Sequence, residues 1–245
     1  MKKNTWIELP SHPELLLGQY IVPNFVSNSI AIKVNEKEYV LVSPGAQMLK
    51  DWPEALKADD VKISIIMPNG FHYMGVSAWQ AVFPNAKLYA NAEAIPRLLE
   101  QGVKENTKGE SDSIGIRPLQ DEQPNLPAGY DVLMVPGHRE GETWVRKQDS
   151  KNGSTWITCD SFLNYDRMSN QPIARFLQKV LGAAPGLKMS QVVKWVIIKD
   201  RKSFKGWALK QLELDQPTTL IPSHGEVSQD ANLAKDLEAL LLARL

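Results

Sequence analysis

Four short apolar runs in this chain each lead, within a few residues, to a histidine or an aspartate. They are KISIIMPNGFHY at His72, VLMVPGH at His138, TWITCD at Asp160 and TTLIPSH at His224. The chain has four histidines in all, so three of the four follow strand-like segments. Neutral imidazole and carboxylate are donors that zinc and iron favour. The pattern points to a metal or proton-transfer site at one edge of a β-rich core.

The elements that must position these residues can be read from periodicity. Residues 29–34 and 38–42 read as two strands joined by a polar turn, Asn35-Glu36-Lys37. Residues 48–58 have helical spacing and 61–67 form a continuous apolar strand. A short helix at 77–83, a strand at 87–90 and a helix at 92–101 follow. Residues 100–127, rich in Lys, Glu, Ser and Pro, read as an exposed excursion with one strand near 114–118. Strands return at 132–135, 143–147 and 154–160, with a turn at 150–153. From 172 to 214 the period is helical, and a strand at 218–222 precedes a helix from about 229 to 244. Strands that alternate with helices in this way imply an α/β chain, expected to form one domain over 1–245.

Composition bounds the function. With 43% hydrophobic and 23% charged residues, the 245-residue chain is an ordinary globular one with enough apolar surface for a sizeable core. Lys plus Arg and Asp plus Glu balance at 28 each, which argues against nucleic acid or an anionic membrane as partner. The single cysteine, Cys159, excludes an intramolecular disulfide framework and agrees with a reducing compartment. The N-terminal apolar run is three leucines, Leu15 to Leu17, too short for a signal-peptide core, and no stretch approaches a membrane span. A soluble, cytoplasmic protein is expected, and its oligomeric state is not readable from the sequence.

The order of these pieces resembles the metallo-β-lactamase fold superfamily over roughly residues 28–225. EYVLVSPG is similar to the family's second hairpin strand and turn, and HYMGVSAWQAVFPNAKLYAN to the stretch after its first metal motif. VPGHREGETWV resembles its proline-glycine-histidine loop, WITCDSF the strand that ends in the bridging aspartate, and IPSHGE the last histidine motif. The resemblance implies an αββα sandwich, two mixed β-sheets packed face to face with helices outside, carrying a helical insertion at about 162–214.

It also implies where a metal would sit. The family's first motif, His-x-His-x-Asp-His, falls here on Met67, Asn69, Phe71 and His72, so three of its four ligand positions are lost. His72, His138, Asp160 and His224 survive, a set that suits one zinc or iron ion, or none, but not the usual pair. Either all four fill a tetrahedral shell, or His138 stays outside as a base while His72, Asp160 and His224 leave a position open for water. His138 and Asp160 are the candidate catalytic residues.

Other residues have plainer readings. His12, between two prolines, reads as an exposed loop histidine. Strand alternation turns Cys159 into packing when Asp160 faces the site, which makes it an inert buried thiol. Glu140 and Glu142 beside His138 could hold an imidazole N–H or simply be solvated. In SQVVKWVIIKDRKSFKGWALKQL, aromatic and basic residues interleave, readable either as a basic aromatic surface or as two helices, the first largely buried at 192–198 with lysines on a solvated face. Two functions follow. One is a hydrolase-like enzyme whose single metal activates water on a small ester or phosphoester substrate. The other is a catalytically inactive protein that binds a small molecule or a protein partner in the residual cleft.

Overall fold

The computed structural model describes residues 4–22, 25–104, 115–149 and 153–245. Two compact units divide the chain, one of Met1–Ile21 with Val26–Ala128 and the other of Val22–Phe25 with Gly129–Leu245. The middle of the expected polar excursion and most of the expected 150–153 turn lie outside the described residues.

In the first unit, seven strands form a mixed sheet in chain order: β1 (Trp6–Leu9), β2 (His12–Val22), β3 (Phe25–Asn35), β4 (Glu38–Val42), β5 (Lys62–Met67), β6 (Lys87–Ala90) and β7 (Arg117–Pro118). β3 and β4 make the expected hairpin, with Ile32 opposite Val40, and its turn is held by the Lys37 N–H donating to Asn35 Oδ1 at 3.0 Å. From β4 to β7 the strands are parallel. β4 and β5 are accordingly apolar almost throughout, as strands covered on both faces must be. The crossover after β4 is not the single helix that residues 48–58 suggest. Pro53 divides it into two short 3-10 helices, Ala46–Asp51 and Glu54–Leu56. Helices α1 (Val76–Val82) and α2 (Ile95–Glu100) fill the later crossovers. The reading of His12 also needs correction. It opens β2 and is buried, because the tight turn at Pro10 and Ser11 pairs Leu9 with His12.

In the second unit, β8 (Tyr130–Val135), β9 (Glu142–Lys147), β10 (Ser154–Thr158), β13 (Pro217–Pro222) and β14 (Ser228–Gln229) form a five-stranded sheet in the order β14-β13-β10-β9-β8. β10 and β13 are parallel and the other pairs antiparallel, so β8, β10 and β13 end at the same edge. The helical stretch contains the small pair β11 (Leu163–Tyr165) and β12 (Gly186–Lys188), helix α3 (Pro172–Leu181), a π-helical turn at Val193–Ile197 and helix α4 (Arg201–Asp215). Residues 192–198 are less buried than the helical reading implies: Val193 and Ile198 are buried, whereas Val192, Trp195 and Val196 are exposed. The break at Asp200 is a helix start, its carboxylate accepting the Ser203 N–H at 3.0 Å as the N-cap of α4. At the other end of α4, the buried side chain of Asp215 accepts from Arg146 at 2.9 Å and from Trp156 Nε1 at 2.9 Å, which fastens the helix to the sheet. Helix α5 (Leu233–Arg244) closes the chain, and Trp144, Trp156, Phe162, Phe204 and Leu237 belong to the core of this unit. Among the described residues, no helix is long and apolar enough to cross a membrane.

Candidate metal centre

Register places Asp160 beside His224. β10 and β13 pair in parallel with Thr158 opposite Pro222, and each candidate ligand lies two residues beyond its strand. Asp160 Oδ1 stands 3.2 Å from His224 Nε2, with the two side chains 12% and 18% exposed. The strand end is braced by Ser223 Oγ donating to the Thr158 carbonyl at 3.3 Å. Asn164 braces the histidine loop. Its backbone N–H donates to the His224 carbonyl at 3.1 Å, and its Nδ2 donates to the Glu226 carbonyl at 3.0 Å. Gly225, at φ +100°, allows this approach, since a Cβ there would stand 2.0 Å from the Asn164 carbonyl oxygen. Buried Tyr165 lies near enough to feel Asp160. Its phenol is pushed up first by burial and then by that negative charge.

His138, at the same edge beyond β8, has different surroundings. It is 1% exposed, with Nε2 3.1 Å from Ser161 Oγ and 3.5 Å from Glu142 Oε2, and Nδ1 3.4 Å from the Pro136 carbonyl. The ring meets Phe204 edge-on at 4.8 Å. Glu142 is completely buried, and its Oε1 accepts from Trp144 Nε1 at 2.6 Å and from the Ser161 N–H at 3.2 Å. The loop is pinned from outside by the Lys199 and Asp200 N–H groups, which donate to the Gly137 carbonyl at 2.8 and 3.1 Å. At φ +79°, Gly137 comes so close to Asp200 that a Cβ would lie 2.4 Å from its carbonyl oxygen.

In the first unit, His72 follows β5. Its Nδ1 is 2.7 Å from Ser43 Oγ, in the Ser43-Pro44-Gly45 turn after β4. That turn is fixed by Ser29 Oγ, which donates to the Ser43 carbonyl at 3.2 Å and accepts from the Gly45 N–H at 2.7 Å. Met67 is wholly buried, and Asn69 Oδ1 turns back to accept the Phe71 N–H at 2.8 Å. Phe71 is partly exposed beneath the Arg97 guanidinium, 4.5 Å from the ring centroid.

Cys159, which precedes Asp160, is buried as its strand position implied. Burial pushes its thiol well above the ordinary range, and the Asp160 and Glu142 carboxylates add to the shift. The residues that periodicity and motif spacing passed over are Ser43, Ser161 and Asn164. Glu142, named from the sequence as a possible partner of an imidazole N–H, opens the run ETWV, all four residues of which are buried.

No protein-family model matches the sequence, and no curated protein is recognisably similar to it. Solved structures are. A metallo β-lactamase from Hirschia baltica superposes with a TM-score of 0.59 at 13% identity, covering 98% of each chain. A flavodiiron protein from Giardia intestinalis gives 0.58 at 11% identity over 96% of this chain and 59% of its own. The apo state of the chemotaxis sensor ODP from T. denticola gives 0.57 at 14% identity over 96% and 93%. Likeness of this extent at such low identity fixes the architecture: the chain has the metallo-β-lactamase fold.

Proposed function

We propose that this chain is a metal-dependent hydrolase that works with one zinc or iron ion on a small ester or phosphoester substrate. The observation that carries the reading is the 3.2 Å separation of Asp160 Oδ1 and His224 Nε2 at two adjacent strand ends. Donors about 2.0–2.1 Å from a tetrahedral ion stand about 3.3 Å from one another, so this pair is spaced as two ligands of one ion would be. His72 is the third ligand that the family resemblance supplies. Its contact with Ser43 suits that role, since Nδ1–H donating to Ser43 Oγ leaves Nε2 as the coordinating nitrogen. Two imidazoles and a carboxylate form a donor set that both zinc and iron(II) accept with positions left open. When bound, such an ion supplies Lewis acidity and a water acidified to near neutrality.

The chain's own residues do the positioning. Asn164 and Gly225 hold the His224 loop, Ser223 holds the β10 end, and Ser43 orients His72. In this reading His138 supports the edge from within, held by Ser161, Pro136 and Glu142. A second ion of the kind implied by a flavodiiron relative in fold does not suit this chain. Met67 and Phe71 offer no suitable donor, and the Asn69 side-chain oxygen is engaged by its own turn.

The second reading, an inactive protein that binds a small molecule or a protein partner, rests on the same contact, because 3.2 Å is also a hydrogen-bonded distance. Elemental analysis of the purified protein beside His224→Ala, Asp160→Ala and His138→Asn separates the two. One equivalent of metal that is lost in the first two variants and kept in the third, with chelator-sensitive hydrolysis of nitrophenyl esters or phosphodiesters, supports the hydrolase. Metal-free protein after reconstitution rejects it and leaves the second reading.

A further inference from the structure

Helix α3 is seated the wrong way round for a helix that serves a core. Its residues Ile173, Phe176, Leu177 and Val180 recur at i, i+3, i+4 and i+7, the spacing of a buried stripe. They are 77%, 64%, 49% and 58% exposed. What the helix buries is Ala174 and Gln178, and the Gln178 side chain accepts the Ser169 N–H at 2.6 Å. At about 100° per residue, Lys179 falls about 60° from Phe176 on the flank of the apolar stripe, and Arg175 lies between Lys179 and Gln178; both basic residues are exposed.

Charge along the chain is one-sided between Asp166 and Asp200. From Arg167 to Lys199 the chain carries six basic residues, Arg167, Arg175, Lys179, Lys188, Lys194 and Lys199, and neither Asp nor Glu. The balanced charge of the whole protein hides this segregation. Exposed Trp195 lies in the same stretch, stacked under Arg201 at 3.8 Å.

From the outward apolar stripe, its basic flank and the acid-free segment around it, we propose that α3 docks on an anionic lipid surface. An amphipathic helix with Phe and Leu on one side and Lys and Arg beside them lies in the plane of a bilayer interface, and each nearby basic residue adds attraction to anionic headgroups. At ten residues the helix is about 15 Å long, so it lies on a bilayer and does not cross it. A second copy of the chain fits less well. Four side chains on so short a helix fall far below the roughly 800 Å² per partner of a stable interface, and a two-fold axis there would set one acid-free segment against the other.

The test is co-sedimentation of the full chain with vesicles of phosphatidylcholine alone or mixed with phosphatidylglycerol. Binding is expected to the mixed vesicles only and to weaken as salt is raised. Phe176→Asp should abolish it, and Arg175→Gln with Lys179→Gln should weaken it roughly thirtyfold. Leu214→Asp, at an equally exposed apolar position on α4, should leave it unchanged. Sedimentation equilibrium without lipid runs in parallel. No partitioning onto the mixed vesicles, or partitioning indifferent to Phe176→Asp, overturns the proposal. So does a lipid-free dimer that Phe176→Asp dissociates, because it assigns the stripe to a second copy.

Discussion

Two histidines at one edge of the same sheet have opposite surroundings. His138 is sealed, its ring beside Ser161 and Glu142 and perpendicular to Phe204, with Trp144 in turn perpendicular to Phe204 at 6.3 Å. His224 is partly open, with its side chain 18% exposed, and its Nε2 stands 3.2 Å from the carboxylate of Asp160, a residue that is itself buried but keeps 12% of its side chain accessible. The local sequences are alike, an apolar strand followed by a short turn and a histidine. What differs is the partner each meets. One meets a buried carboxylate that is already accepting two other hydrogen bonds, which makes it part of the core. The other meets a carboxylate whose side chain is 12% exposed and which is bonded to a histidine that is itself partly open. A histidine at a strand end is therefore a ligand candidate only after its second partner is known.

The sharpest way to break this contrast is at the sealed cluster. Glu142→Ala removes the acceptor for Trp144 Nε1 and the Ser161 N–H and leaves His138 facing a void. It should cost about 3 kcal/mol or more of stability in chemical denaturation. A loss under about 1 kcal/mol would show that the cluster is not part of the core's support.

Gly225→Ala attacks the open pair through its backbone. The new Cβ would meet the Asn164 carbonyl at a residue whose φ is +100°, so a loss of about 2 kcal/mol is expected together with loss of bound metal. Unchanged metal content by elemental analysis would show that the His224 loop does not need that clamp.

Cys159, buried next to Asp160 in the chain, feels the carboxylates of both clusters. Its folded thiol lies well above the ordinary 9.0, so the unfolded chain gives up the proton first as pH rises. The stabilisation is complete below pH 9.0 and is lost above it, at about 1.4 kcal/mol per pH unit, until the folded thiol itself ionises. Denaturation curves of Cys159→Ala should lack that alkaline slope, and native Cys159 should resist alkylation at pH 8.

The smallest stability effect belongs to His224→Ala. Metal-free protein should lose about 1.5 kcal/mol, less than the sealed cluster loses because this pair keeps some access to solvent, while metal binding disappears. A metal-free loss comparable to that of Glu142→Ala would make the two histidines equivalent and remove the contrast.

Much of this was written in the chain. Parallel strands covered on both faces leave continuous apolar runs, so β4, β5 and β10 were legible, as were the histidine and aspartate that follow strands. The N-terminal pair β1 and β2 was not, because prolines and charged residues interrupt its pattern. Nor was the split crossover of residues 46–56, where local helical spacing concealed the effect of Pro53. The bland reading of Glu142 as a solvated loop residue failed for a similar reason: its burial depends on Trp144 and Ser161 folding around it.

By itself, the sequence determined the strand-helix alternation from residue 29 to 100 in outline and the types of the candidate ligands, and it places Met67, Asn69 and Phe71, none of them a histidine or an acid, in the stretch before His72. Tertiary structure decided which histidine is open. Periodicity says where a side chain leaves a strand, whereas exposure and hydrogen-bond partners depend on residues far away in the chain. His224 gains Asp160 through a parallel register across 64 positions, and His138 is closed off by Phe204 from a helix 66 positions further on. The outward face of α3 is the same lesson in reverse: its spacing alone implies burial, and only the packed fold shows that the stripe faces solvent.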